Sequence, residues 1–468
     1  MYRDRIEEFF KANGDRMVAD ICSLIEINSV RTAAQPGKPF GEGPALAFER
    51  MAQICGRLGL ECENHGNYVL TARTGGAEEK LGILAHLDVV EAGIGWNGDP
   101  FVPVISDGKI FGRGSSDDKG PAVAAAYALA AAHYVMPDMP FGVTLITGGA
   151  EETGSEDIRH YFADRPYPPM SFSPDAAYPV INIEKGAYGP EFGADWEDDG
   201  ALPRVVELIG GRTNNIVPQF AHAVIEGISR EVLAQTCADA AQKTGVRFEI
   251  TPCEVGFSVS AEGQGAHASM PQIGNNAQTA LIYVLTQLPL ADGEGSRMLK
   301  KLAALFPHGV TDGSSLAIAQ SDEISGALTL NFGVLEFTTT GFRGRFDSRV
   351  PICGTPATVS QIAADRLESN GIKVSTREMR KPHYTPEDSP LVKTLLNVYE
   401  SYTGLPGECI AIGGGTYVHD IEGGVAFGCE VADEDCHIHG PNEFADIQLL
   451  LLSAKMFTQV IIDICGAK

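Results

Sequence analysis

The sequence predicts an α/β fold with a largely parallel sheet covered by helices, interrupted by an inserted α+β domain. Two observations carry this. Up to about residue 184 apolar, β-branched runs alternate with helical periodicities, and the same alternation returns after about residue 382, as in a mixed, largely parallel sheet flanked by helices. Between them, short segments alternate apolar and polar residues, the pattern of an antiparallel sheet carrying helices on one face. At 468 residues the chain exceeds one typical domain. The expected organisation is a discontinuous domain, 1–184 with 382–468, and an insertion at 185–381.

The elements follow in order. Residues 2–27 and 43–58 read as amphipathic helices, and apolar runs at 81–85, 103–105 and 143–147 as strands. The alanine-rich stretch 119–133 reads as a helix, and 178–183 as a further strand. In the insertion, 204–209, 221–226, 246–260, 327–337 and 340–350 read as strands, with helices such as 277–288 between them. Beyond it come a helix at 389–402, strands at 408–412 and 425–427, and a long final helix at 445–464. No short-period repeat or low-complexity tract is visible.

Charged residues are 21 % and hydrophobic ones 44 %, ordinary for a globular protein. The formal charge of −26 argues against nucleic acid or an anionic membrane surface as partner, since both require a basic face. The start of the chain is charged and amphipathic, without the apolar core of a signal peptide. No uninterrupted apolar run approaches the roughly 18 residues of a membrane helix. Ten cysteines are scattered with no Cys-x-x-Cys, which suits free thiols in a reducing cytoplasm.

Five clusters carry chemistry. The run Gly82–Val90 ends in His86 and Asp88, which face the same way if the strand continues. Asp88 would then orient the imidazole and raise its basicity, as carboxylates do for metal-ligating histidines. Phe111–Gly120 is a glycine-rich turn delivering Asp117 and Asp118 to the start of a helix. One of these acids suits an N-cap; the other is left without a structural role. Gly148–Gly154 places Glu151 and Glu152 after a strand, where ligands bind in open α/β sheets. Ser173–Asp175 lies beside another strand, and His437–Glu443 supplies two late histidines.

Imidazole and carboxylate donors suit zinc, with cobalt or manganese as substitutes. One aspartate bridging two ions, with one histidine and one further acid on each, leaves positions open for water. Two such ions can share and deprotonate a water while polarising a carbonyl. A neighbouring glutamate that binds no metal can take the proton and return it to a leaving amine.

On these clusters the chain resembles the co-catalytic zinc aminoacylase/carboxypeptidase/carnosinase metallopeptidases, and among them the bacterial PepV-type dipeptidases. The resemblance covers nearly the whole chain. It implies a zinc-peptidase catalytic domain and an inserted lid, with two divalent ions per chain, Zn2+ or in its place Mn2+ or Co2+. His86, Asp117 and Asp175 would hold one ion, and Asp117, Glu152 and His439 the other. Glu151 matches the general base, and Asp88 the partner of His86; His437 matches nothing. The resemblance also implies a cis peptide between Asp117 and Asp118.

In the insertion, Gly210–Pro218 is similar to a family loop that turns Asn215 toward the substrate. Ala266–Pro271 is similar to the lid segment whose histidine, here His267, donates to a tetrahedral oxyanion. Phe346–Pro351 looks like the segment that supplies an arginine, here Arg349, to the substrate carboxylate. Gly414, Gly415 and Thr416 resemble the glycine loop whose backbone donors approach a substrate's C-terminus. Related sequences commonly continue Ala-Arg after the next tyrosine, whereas this chain has Val418 and His419. This departure bears on the local electrostatics and on the preferred C-terminal residue.

The expected function is a cytoplasmic dipeptidase, acting on short peptides with a free C-terminal carboxylate through a metal-activated water. Deacylation of N-acyl amino acids or diamino acids by the same machinery is the alternative, followed by a non-catalytic member of the family. Dimeric relatives have a smaller lid that pairs with a neighbour's; this insertion is long enough to contain both halves, so a monomer is expected.

Overall fold

The structure is a computed structural model that describes residues 2–431 and 434–466. The chain forms two compact units, one of residues up to Glu184 with those from His383 onward, the other Lys185–Pro382.

The first unit is built on a nine-stranded mixed sheet. At its centre Gly142–Gly148, β3 (Glu79–His86) and Met170–Ser173 run parallel side by side. Ile83, Ala85, Val143, Leu145 and Phe172 are buried there, because helices cover both faces of a parallel sheet and its strands read as apolar runs. One flank is an antiparallel hairpin, β1 (Glu61–His65) and β2 (Val69–Gly75), laid against Gly142–Gly148. These two strands escape sequence reading, since β1 is mostly exposed and offers no apolar alternation. The other flank holds Val425–Ala426, Val180–Glu184, Cys409–Ile412 and His383–Tyr384.

Around the sheet lie α1 (Tyr2–Ile25), α2 (Glu42–Arg57), α3 (Lys119–Val135), Pro390–Thr403 and the final helix Ile447–Cys465. Nearly every residue of α3 is buried. Its alanines favour the helix and are small enough for the close approach of α1 and the final helix on either side. The final helix is long and apolar enough to cross a bilayer by length and composition. Ser453, Lys455, Gln459 and Asp463 interrupt it, and it packs against α1, α3 and Pro390–Thr403 as a core helix.

The strand expected at 103–105 lies at Val104–Ser106 and stays outside the main sheet. It is exposed and pairs with Lys109–Phe111, which pairs in turn with Phe444–Asp446. This small sheet ties the chain after His439 to the chain before Asp117.

The second unit carries its own nine-stranded sheet, antiparallel throughout. In Phe220–Glu226, Ala221, Ala223 and Ile225 are buried while Phe220 is exposed. The buried side belongs to the core formed with helix Ala277–Gln287. The single stretch expected at 246–260 is a hairpin of Arg247–Cys253 and Gly256–Glu262.

Candidate dinuclear metal centre

The three central parallel strands end at one edge of the first sheet, the edge where open α/β sheets bind ligands. His86 is the last residue of β3 and pairs with Gly148. Glu151 and Glu152 follow in a short 3-10 turn, and Asp175 follows Met170–Ser173. Asp117 comes from the loop before α3, and His439 from the loop before Phe444–Asp446.

Asp117 stands at the middle. Its Oδ1 lies 2.9 Å from His86 Nε2, and its Oδ2 lies 3.0 Å from His439 Nε2. His439 Nε2 is also 3.1 Å from Glu152 Oε2, and His86 Nε2 is 3.6 Å from Asp175 Oδ2. One carboxylate thus faces two imidazoles, each with a second acid, an arrangement suited to a carboxylate shared between two cations. Ligand atoms of His86, Asp117 and Glu152 all lie within 4.8 Å of one another. A tetrahedral ion with bonds of about 2.0–2.2 Å holds its ligand atoms about 3.3–3.6 Å apart, and the histidine–carboxylate separations of 2.9 and 3.6 Å around His86 and of 3.0 and 3.1 Å around His439 lie near that range. His86 Nε2 is buried and makes no hydrogen bond of acceptable geometry. A ring nitrogen left in this way among carboxylate oxygens is suited to a cation.

The charges respond to this crowding. Burial pulls the His86 imidazole down, but Asp117, Asp175 and Asp88 carry it well above its usual value. His439 is pushed up to about 10 by Asp117 and Glu152. Burial pushes Glu152 up to about 6, with Asp117 adding to it. Burial also raises Asp175, again with Asp117. Asp117 itself is held below the usual carboxylate range: His439 and His86 outweigh its burial. Glu151 is raised well above a normal glutamate by burial and by the neighbouring Asp175, Glu152 and Asp117.

Asp88 departs from expectation. The ring Nδ1 of His86 meets the backbone carbonyl of Asp88 at 3.0 Å, and the carboxylate only at 3.5 Å. β3 stops at His86, so the rule that alternate residues share a face no longer applies at Asp88. Its carboxylate instead accepts the N–H groups of Glu151 and Glu152, at 3.1 and 3.2 Å. Asp88 therefore holds the glutamate turn as well as the histidine.

Several supporting contacts were not legible in the sequence. Asp157 Oδ2 accepts the N–H groups of Gly149 and Ala150, at 2.6 and 2.7 Å, and the Tyr417 hydroxyl donates to it at 2.5 Å. Asp118 accepts the His86 N–H at 2.9 Å; the Asp117–Asp118 peptide is cis. Glu443, fully buried, accepts N–H groups from Gly114, Ser116 and Asp117 at 3.0–3.2 Å and pairs with Arg113 at 2.6 Å. The loop bearing Asp117 is thus wrapped around a carboxylate that lies four residues past His439. His437 packs its ring against Phe444 at 5.9 Å.

In the second unit, Asn215 and His267 are neighbours. The Ala268 N–H donates to the Asn215 carbonyl at 2.8 Å, and Ile216 bridges to His267. His267 Nδ1 lies 2.7 Å from the Ser269 hydroxyl and 3.3 Å from the Ser269 N–H; with Nδ1 accepting from both, a neutral imidazole carries its proton on Nε2. Asn214 reaches the Phe346 carbonyl at 2.8 Å, so this loop lies beside the strand carrying Arg349. Arg349 Nε and Nη2 grip Asp347 at 2.6 and 2.9 Å. Asp347 is an orienting partner that no pattern indicated.

Gly414 and Gly415 lie in the loop after Cys409–Ile412, in the first unit. Thr416 differs from its expected role. Its N–H and hydroxyl both donate to Glu184, at 3.0 and 2.8 Å, so its side chain is committed inward.

Comparison with known proteins finds relatives along nearly the whole chain. The description "Peptidase family M20/M25/M40" matches residues 82–463. The Beta-Ala-Xaa dipeptidase of Lactobacillus delbrueckii subsp. lactis is 33 % identical over 464 residues, covering 98 % of each chain. A putative dipeptidase of Bacillus subtilis (strain 168), YtjP, is 34 % identical over 454 residues, covering 96 % of this chain and 97 % of its own. Among solved structures, human carnosine dipeptidase 1 superposes with a TM-score of 0.58 at 15 % identity, covering 99 % and 100 % of the two chains. The aminoacylhistidine dipeptidase of Vibrio alginolyticus does so at 0.57 and 14 %, covering 97 % of each. These two share the fold. The match over most of the chain, together with full-length relatives at a third identity, places this protein in peptidase family M20/M25/M40.

Proposed function

We propose that the chain is a metal-dependent dipeptidase that hydrolyses the amide of short peptides bearing a free C-terminal carboxylate. One observation carries this reading: Asp117 faces His86 with one oxygen and His439 with the other, with Glu151 in the turn that also carries Glu152. His86, Asp117 and Asp175 would hold one divalent ion, and Asp117, Glu152 and His439 the second; zinc suits this nitrogen and oxygen set, with manganese or cobalt as substitutes. Ions held there would supply a nucleophile at neutral pH and polarise the scissile carbonyl.

The chain's own residues do the rest. Glu151, with its pKa raised by burial among acids, takes the proton of the attacking water and delivers it to the leaving nitrogen. Asp88 and Asp157 hold the turn that presents it. His267, whose Nδ1 accepts from Ser269, offers Nε2–H to the developing oxyanion. Arg349, steadied by Asp347, takes the substrate carboxylate, and Asn215 assists beside His267. The backbone of Gly414 and Gly415 approaches the substrate's C-terminus.

The setting we propose is cytoplasmic, supported by ten free cysteines, and the acting species a monomer. The names of the two relatives above support a dipeptide substrate, one of them a β-alanyl dipeptide. A hydrolysis panel on metal-loaded enzyme tests the reading. It compares α-dipeptides, β-alanyl dipeptides, tripeptides and N-acetyl amino acids, with mass measured by light scattering. Dipeptides should be hydrolysed fastest by a species of one chain's mass. Faster turnover of N-acetyl amino acids would make the enzyme a deacylase.

A further inference from the structure

A buried cluster at Glu184 takes no part in the chemistry above. Glu184 ends the strand Val180–Glu184 and is 1 % exposed. Its Oε1 accepts the N–H and hydroxyl of Thr416, and its Oε2 lies 2.9 Å from Nδ1 of His419, itself buried. An ionised carboxylate only accepts, so Nδ1 carries the hydrogen of that contact. These donors all come from 416–419, the residues that follow the glycine run. The run's other end is tied to the same residue, since Ile412 pairs with Glu184 in parallel register.

Gly413, Gly414 and Gly415 therefore span two anchors that meet at Glu184. Three consecutive glycines have no side chains to restrict φ and ψ, and their conformational freedom is large. Both ends of the run are fixed at Glu184. Tyr417, one residue beyond Thr416, bonds through its hydroxyl to Asp157, which also holds the backbone before Glu151. The run and the proposed base thus share one framework within the first unit.

We propose that Glu184 and His419 are positioning residues that set selectivity for a free C-terminal carboxylate, by holding the glycine run in the shape that presents its backbone donors. This rests on the proposed function, in which the run faces that carboxylate. A run released from its clamp must be ordered each time substrate binds. That cost falls on binding and leaves the chemical step intact. It also gives the departure at Val418 and His419 a physical content: the imidazole holds Glu184.

The test uses the full-length, metal-loaded enzyme with His419→Ala, His419→Asn and Glu184→Gln, on a dipeptide and its C-terminal amide. Asn places a side-chain N–H near the position of Nδ1, whereas Ala removes the donor. We expect His419→Ala to raise KM for the free dipeptide about tenfold, the scale of one hydrogen bond to a charged group, with kcat within about twofold. The preference for free over amidated substrate should shrink, and His419→Asn should restore most of it. Glu184→Gln should shift KM in the same direction, and it carries the test if His419→Ala does not fold. A fall in kcat at unchanged KM, equal losses on free and amidated substrates, or no rescue by Asn in a folded, metal-replete variant would overturn the proposal. If the unmutated enzyme cleaves N-acetyl amino acids instead of dipeptides, the proposed function fails alone. The same KM comparison then runs on those substrates, which also carry a free carboxylate.

Discussion

Replacing Glu443 by Gln should damage the metal centre from a position that touches no proposed ligand side chain. Both members of the Arg113–Glu443 pair are buried, at 1 % and 0 % exposure, and they meet at 2.6 Å. The same carboxylate accepts N–H groups from Gly114, Ser116 and Asp117. Glutamine keeps the volume but supplies one acceptor oxygen, and turns an amide N–H toward donors. Breaking a buried ion pair from one side costs about 3–5 kcal/mol, because the remaining charge stays buried and unpaired. With a urea slope of about 2–3 kcal/mol/M, the unfolding midpoint should fall by about 1–2.5 M. Trp96 stacks over Arg113 at 5.3 Å, so its fluorescence in a Trp196→Phe background reports on this region. The loop bearing Asp117 loses its template, and metal affinity should fall with stability. A midpoint within about 0.3 M of the parent, with metal affinity unchanged, would refute the role assigned to Glu443.

Other outcomes follow from the same geometry. Glu151→Gln should keep its metal, measured by elemental analysis, while kcat falls by at least about two orders of magnitude, the usual scale for a lost general acid–base. Near-normal kcat would move the base elsewhere. In the metal-free chain His439 is held up to about 10 by Asp117 and Glu152, so it is protonated at neutral pH and metal must displace that proton. Metal affinity should therefore rise between pH 6 and 8, by roughly tenfold per pH unit for each proton displaced; calorimetry in buffers of different ionisation enthalpy counts those protons, and a flat profile would contradict the assignment. Because the pKa is raised, this proton stabilises the metal-free fold fully below the unfolded value of about 6.5, and the contribution fades as pH rises toward 10. His267→Ala should lower kcat chiefly, and Arg349→Ala should raise KM for free dipeptides and leave their amides unaffected. Steady-state kinetics on both substrates checks the pair.

The sequence by itself determined the kind of chemistry and its approximate location. The clusters at His86, Asp117–Asp118, Glu151–Glu152, Asp175 and His437–His439 stood out because ligand chemistry resides in residue types, and because the ends of apolar strands are visible in local periodicity; the choice within each pair came from the resemblance to the metallopeptidase family. The alternation of strands and helices, and its break in the insertion, was legible for the same reason. What the tertiary structure alone decided lies in contacts between residues far apart in the chain. Asp88 turns its carboxylate to the glutamate turn because β3 ends two residues earlier. Glu443 templates the Asp117 loop, Tyr417 secures Asp157, and His419 closes on Glu184, each across hundreds of residues. Edge strands such as β1, exposed and without an apolar face, owe their conformation to the partner they pair with. Local pattern records how much of a side chain is to be buried and at what period. It does not record which distant backbone N–H a buried carboxylate will meet, and that pairing is what turns a set of ligand-bearing residues into a site.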